Sequence, residues 1–168
     1  MGIPININDI SSDALRLKEM MDGVLERVQN IYQSYNVPLP SRQYWTMGTP
    51  AIDCEQLVVS FTQMYLGAPG DQANTPQRCY VPRTATVEIM VAREVAVGGM
   101  NGRAPSAESI QKSSWMSAVD SWVLMDSLNS FDMWDETGYG LGVIATLETA
   151  GFEGGYNAVI LQLTLSVP

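Results

Sequence analysis

Histidine is missing altogether from these 168 residues, and lysine and arginine together number nine against eighteen aspartates and glutamates. Without histidine there is no Ser-His-Asp or Cys-His arrangement and no zinc site of the usual His-containing kind. A formal net charge of −9 argues against phosphate-backbone binding as a main activity, because such binding relies on Lys and Arg displacing counterions. Long apolar runs are missing too: no stretch of about 18 apolar residues is available to cross a bilayer. The opening MGIPININDI has neither the basic nor the apolar segment of a signal peptide, and Asn6 stands where an N-myristoylation motif needs Ser or Thr. The expectation is a protein made and kept in a cytoplasm, with no membrane partner.

What is present suffices for one core. At 46% hydrophobic the chain can bury one sizeable interior, so residues 1–168 are expected to form a single domain. Charge is uneven along it. Residues 1–104 carry ten acids and eight bases, whereas 105–168 carry eight acids (Glu108, Asp120, Asp126, Asp132, Asp135, Glu136, Glu148, Glu153) and only Lys112. A solvated acidic face that maintains solubility is the plain reading.

Periodicity divides the chain. Ala14, Leu17, Met21, Val24, Val28, Ile31 and Tyr35 step alternately by three and four residues, one apolar stripe along a helix. Asn8, Ser11, Ser12 and Asp13 are candidate caps, and Val37-Pro38-Leu39-Pro40 ends the segment. Two period-two stretches follow, with Leu57, Val59 and Phe61 on one face and then Ala85, Val87, Ile89 and Val91. They read as a hairpin joined by residues 66–82, a Gly/Pro/Asn/Gln-rich arm longer than any tight turn. A second helix is expected from Ser106 to near Asn129, with Trp115, Met116, Val119, Trp122, Val123 and Met125 turned to the core, since large side chains at helical spacing are most often interior. Leu141, Val143, Ala145 and Leu147 then alternate, Gly151 to Gly155 turn the chain, and Val159, Leu161, Leu163, Leu165 and Val167 mark the cleanest strand. The predicted fold class is α+β, a mixed, mainly antiparallel sheet of about four strands with two helices on one face, in the order α-β-β-α-β-β.

Chemistry is sparse. Ser109-Ile110-Gln111-Lys112 fits S-x-x-K, but neither S-D-N nor K-T-G follows. Gly98, Gly99 and Gly102 have no Walker spacing. Asp132, Asp135 and Glu136 could meet a divalent cation, but match no EF-hand and read as solvated loop acids. Asp53 and Glu55 share a strand face without any mark of a sugar cleft. No catalytic residue, metal or cofactor is assigned. In the expected hairpin Cys54 and Cys79 fall at opposite ends of a ladder of roughly 30 Å, so two free thiols are expected.

Three segments carry a resemblance: RQYWTMGTPAIDCEQLVVSFTQMY (42–65), CYVPRTA (79–85) and GRAPSAE (102–108). Together they resemble the tail terminators of long-tailed phages infecting actinobacteria, small proteins of the head-to-tail connector complex. The resemblance implies a terminator-like α+β fold and a structural virion protein rather than an enzyme. Such a protein sits in the neck at the head-proximal end of the tail and is assembled in the host cytoplasm. It implies a homohexameric ring that caps the tail tube, stops its polymerisation and joins tail to head. The partners would be other copies of itself, the tail tube protein and the stopper or connector proteins, with genomic DNA passing through the lumen without specific binding. The 66–82 arm would then grip a neighbour, Arg78 and Arg83 would pair with its acids, and the loop bearing Asp132, Asp135 and Glu136 would face the axis or a partner. An acidic lumen along which DNA slides is the functional alternative for the C-terminal charge. Another neck component, a head-completion adaptor or stopper, has similar size, and a small domain using its apolar helix and sheet as a ligand pocket is the third reading.

Overall fold

The computed structural model describes residues 7–67, 83–97, 104–128, 144–152 and 155–167. Helix α1 (Ile7–Ser34) is followed by strands β1 (Arg42–Met47), β2 (Gln56–Leu66) and β3 (Arg83–Glu94), helix α2 (Ala107–Ser127), and strands β4 (Ile144–Phe152) and β5 (Tyr156–Val167). They form an α+β fold around one five-stranded mixed sheet ordered β1-β2-β3-β5-β4. The expected hairpin is present: β2 and β3 run antiparallel from Gln56 opposite Ala92 to Leu66 opposite Arg83, with a register shift between Phe61 and Gln63. β5 pairs antiparallel with both β3 and β4, so the last strand of the sequence lies inside the sheet.

Two sequence-based expectations are corrected by β1. Among the described residues there are five strands, not about four, and the order is α-β-β-β-α-β-β. β1 is parallel to β2, Arg42 opposite Gln56 and Met47 opposite Phe61, yet only residues 48–55 join them. Parallel neighbours usually need a crossover of a dozen or more residues. Here the chain must return only about 17 Å, which eight residues span with slack, since fully extended they reach about 26–29 Å. The link therefore needs no helix and returns as a short strap over the sheet, with bends at Gly48 and at 53–55. Gly48, at φ 81, makes the turn that starts it and donates its N–H to Phe61 O. Ile52, from the strap, packs with Tyr44 against Val58, Met90, Ala92 and Ala158, and buried Gln56 donates to Ala51 O and accepts from the Tyr44 hydroxyl. Gly/Pro-bearing sequence around this strap hid the six-residue strand before it.

The main core lies on the other face. Leu57, Val59, Val87, Ile89, Val91, Val159, Leu161 and Leu163 point into it, meeting Met21, Val24, Val28 and Tyr32 of α1 and Val123 and Leu124 of α2. Both helices pack here, as the hydrophobic pattern predicts. The buried line on α1 ends at Tyr32, however, and Tyr35 is exposed. A stripe spaced every 3.5 residues drifts about 20° per heptad around a straight 3.6-residue helix, enough to move the contact from position 35 to position 32. α1 stops at Asn36, in the left-handed region at φ 54. Asn36 N–H bonds Gln33 O and Val37 N–H bonds Tyr32 O, a Schellman end that precedes the prolines. α2 begins as expected, Ser106 Oγ accepting from Ser109 N–H. β4 (Ile144–Phe152) continues beside Tyr156, so the turn expected over residues 151–155 is narrower than that span, with Gly155 in it at φ 84; Leu141 and Val143 lie outside the described residues.

One polar group sits at the junction of these parts. Asp120 of α2, 1% exposed, receives both arms of the Arg93 guanidinium from β3, Nε at 2.6 Å and Nη2 at 2.9 Å. Nη2 also donates to Pro38 O, and the buried Tyr32 hydroxyl donates to the same carboxylate at 3.0 Å. Asp120 is thus no part of a surface acidic field, as the charge distribution had suggested. Burial tends to discharge Arg93, and its bonds and charge contact with Asp120 override that, raising its pKa. Burial, then the Asp120 charge and hydrogen bond, raise Tyr32 far above 10.0.

Removing one member strands the other, so Arg93→Ala should lower the unfolding free energy by about 3–5 kcal/mol, whereas the apolar pair Arg93→Met/Asp120→Leu should recover most of it, measured by urea denaturation. Above pH about 10 an unfolded tyrosine ionises while Tyr32 does not. The folded state then binds more protons, so Tyr32's contribution is complete below pH 10 and is lost as pH rises. Tyr32→Phe should accordingly flatten the alkaline fall in stability between pH 9 and 11; an unchanged slope would remove Tyr32 from the network's titration.

Candidate assembly surface

Because α2 buries only Asp120, Val123, Leu124 and Ser127, its opposite face stays in solvent. The sequence-based expectation of a wide apolar core face on this helix is correct for Val123 and, half-buried, for Val119, and incorrect for both tryptophans. Trp115 is 68% exposed and Trp122 56%, with Met125 also exposed. The reason is the small-residue flank that faces the sheet. Ser113 and Ser117 turn their hydroxyls back to Ser109 O and Ser113 O, while Ser117 accepts from Asn157 and Ser113 from Ala96 N–H. Serines let α2 lie close against β3 and β5, which rotates the tryptophans outward. Tyr35 meets Trp122 edge-on, centroids 4.8 Å apart, and gives its hydroxyl to Asp126 at 2.7 Å. That bond, then partial burial and the carboxylate charge, raise the Tyr35 pKa. The result is an exposed Trp-Trp-Met-Tyr patch of the composition enriched at interface cores.

The sheet edges are a second candidate surface. Among the described residues β1 and β4 each pair on one side only. β1 is six residues long, and its helix-side residues are tied to α1: Trp45 Nε1 donates to Asp22 at 2.7 Å and Gln29 to Gln43 at 2.7 Å. β4 carries IATLETAGF, without Lys, Arg or Pro, the residues that usually discourage edge pairing. The two edges are therefore unlike each other.

Of the expected interface residues, Arg83 is described: it opens β3, exposed, opposite Leu66 and Val167, and is not without a partner inside the chain. Arg78, Asp132, Asp135 and Glu136 lie outside the described residues, as do Cys79 and all of the 66–82 arm between Gly67 and Arg83. The candidate acids Asp53 and Glu55 have structural partners. Arg42, stacked 4.9 Å over Tyr44, bonds Asp53 at 2.9 Å and reaches the free Cys54 thiol at 3.9 Å, and Glu55 accepts from Glu94 N–H. Among the described residues no group of three or more Cys, Asp or Glu could hold a metal ion, and no helix there is long and apolar enough to cross a membrane.

No protein-family model matches the chain, and a search of curated proteins returns no match.

Since Trp115 packs on solvent, Trp115→Ser should change the unfolding free energy by no more than about 0.5 kcal/mol. A core tryptophan cut to a small residue would cost several kcal/mol. Chemical denaturation separates the two, and a multi-kcal/mol loss would return this helix face to the interior.

Proposed function

We propose that the protein is a structural component of a virion neck, a tail terminator whose copies close a six-membered ring. The ring caps the tail tube, ends its polymerisation and joins the tail to the head connector. The observation that carries this reading beyond the sequence resemblance is the pair of unlike sheet edges, which no strand among the described residues pairs. A cyclic ring is built by head-to-tail contact between two different patches on each subunit, and edges β1 and β4, at opposite ends of the sheet, are two such patches. The resembling segments fall on this frame: 42–65 comprises β1, the strap and most of β2, 79–85 leads into β3, and 102–108 leads into α2 at its Ser106 cap. In this reading Arg78 and Arg83 pair with a neighbour's acids, the 66–82 arm grips it, and Asp132, Asp135 and Glu136 face the axis or a partner. With a net charge of −9, the ring repels DNA and lets it pass rather than binding it. The role is mechanical, and no catalysis is required of any residue.

Electron microscopy of intact virions or tails tests the proposal directly. A ring of six at the head-proximal end of the tube is expected. A position against the portal would instead make the protein an adaptor or stopper, and its absence from the particle would overturn the neck reading.

A further inference from the structure

The outer face of α2 has an order that the fold itself does not use. Gln111, Trp115, Ala118, Trp122 and Met125 are all exposed, and they follow one another by four, three, four and three residues. That spacing averages 3.5, the repeat that keeps a line of side chains turned toward a partner helix. Core-facing Asp120, Val123, Leu124 and Ser127 occupy the opposite side, so α2 has one stripe for its own core and a second, uncharged stripe left over. Ala118 lies between the two tryptophans, a small residue where helix axes can approach.

The flanks decide what fits there. On one side Lys112, Val119 and Asp126 recur every seven residues and share one heptad position. On the other side stand Ala107, Ser114 and Ser121, small and uncharged. When two such helices pack antiparallel, like flanks face each other. A pairing centred on Val119 brings Lys112 of each copy to Asp126 of the other, twice by symmetry, and sets Trp115 of each toward Trp122 of the other. In a parallel pairing Lys112 and Asp126 would each face the serine flank rather than each other, and the helix dipoles would align unfavourably. Among the described residues the other charged or titratable groups around the stripe are Glu108 in the first turn and Tyr35, whose hydroxyl is on Asp126; Asp126 has a further contact within its own chain.

We propose that a second copy of this chain docks on this face, α2 against α2, antiparallel about a two-fold axis at Val119. The contact is self-complementary, unlike the head-to-tail contact of a ring, and so does not rest on the terminator reading. It gives the free protein a dimeric form that covers its tryptophans.

Sedimentation velocity on the full chain over a concentration series should show a reversible dimer. Lys112→Glu should weaken it about ten-fold, two attractive rim pairs becoming repulsive, and Lys112→Glu/Asp126→Lys should restore it. Trp115→Gln/Trp122→Gln should leave a folded monomer by circular dichroism. In a Cys54→Ser/Cys79→Ser background, Ala118→Cys should form a disulfide-linked dimer on mild oxidation while Glu108→Cys should not. This cross-link tests the register even if the Asp126 variant fails to fold, since Asp126 also anchors Tyr35. A wild-type protein monomeric at every concentration overturns the proposal. So does a dimer indifferent to the tryptophan pair, a folded charge swap no tighter than Lys112→Glu, or association only with another protein's helix.

Discussion

The fork between Arg93 and Asp120 is the interaction on which the relative placement of the elements depends. Apolar stripes attract one another without much regard for position: a helix shifted by one turn still buries Leu, Val and Met. A bidentate guanidinium–carboxylate pair tolerates no such slip. Its side chains, 11% and 1% exposed, draw β3 and α2 to one point, and the bonds to Tyr32 and Pro38 add α1 and the segment after it. Four parts of the chain separated by up to 88 positions thereby share one register. Its net energy is modest, because both charges lose water; its contribution is to exclude alternatives whose penalty is an unpaired buried charge.

With α1 and α2 held this way, both helices lie on one side of the sheet and the strap 48–55 covers part of the other. The two sides are unequal in kind. One is a conventional helix-on-sheet core; the other is a smaller cluster under the short strap, anchored by Gln56. Among the described residues a single buried hydroxyl, Ser60 Oγ, is left without a partner, and no feature described explains it. The surfaces that remain for partners follow from this arrangement: two sheet edges that nothing among the described residues pairs, and the outward face of α2.

Legibility in the sequence tracked how local the cause was. The β2–β3 hairpin, the Ser106 cap and the alternation of β5 were readable because each depends on neighbours two to four residues apart. β1 was not, since it is a strand only by virtue of a parallel partner reached through a short strap. For the candidate surface the sequence supplied the right residues and the wrong side: Trp115, Trp122 and Met125 stood out as a large apolar set, and hydrophobicity alone pointed them inward. The serines at 113 and 117 were the available signal, small polar residues opposite the tryptophans that fit a close helix–sheet contact better than a solvent face. Arg93 was likewise visible only as one base among nine, and nothing in its neighbourhood names a partner 27 positions away.

By itself, then, the sequence determined the class of fold, the place of both described helices along the chain, the antiparallel pairing of the central hairpin and the poverty of catalytic side chains. Those follow from composition and short-range periodicity, which act before the chain has a tertiary structure. Only the tertiary structure decided that β5 lies inside the sheet, that β1 joins in parallel, that Asp120 is buried and paired, and that α2 turns its tryptophans to water. Each of these is settled by competition between distant segments for the same apolar surface and the same hydrogen bonds, and no local pattern records which segment wins.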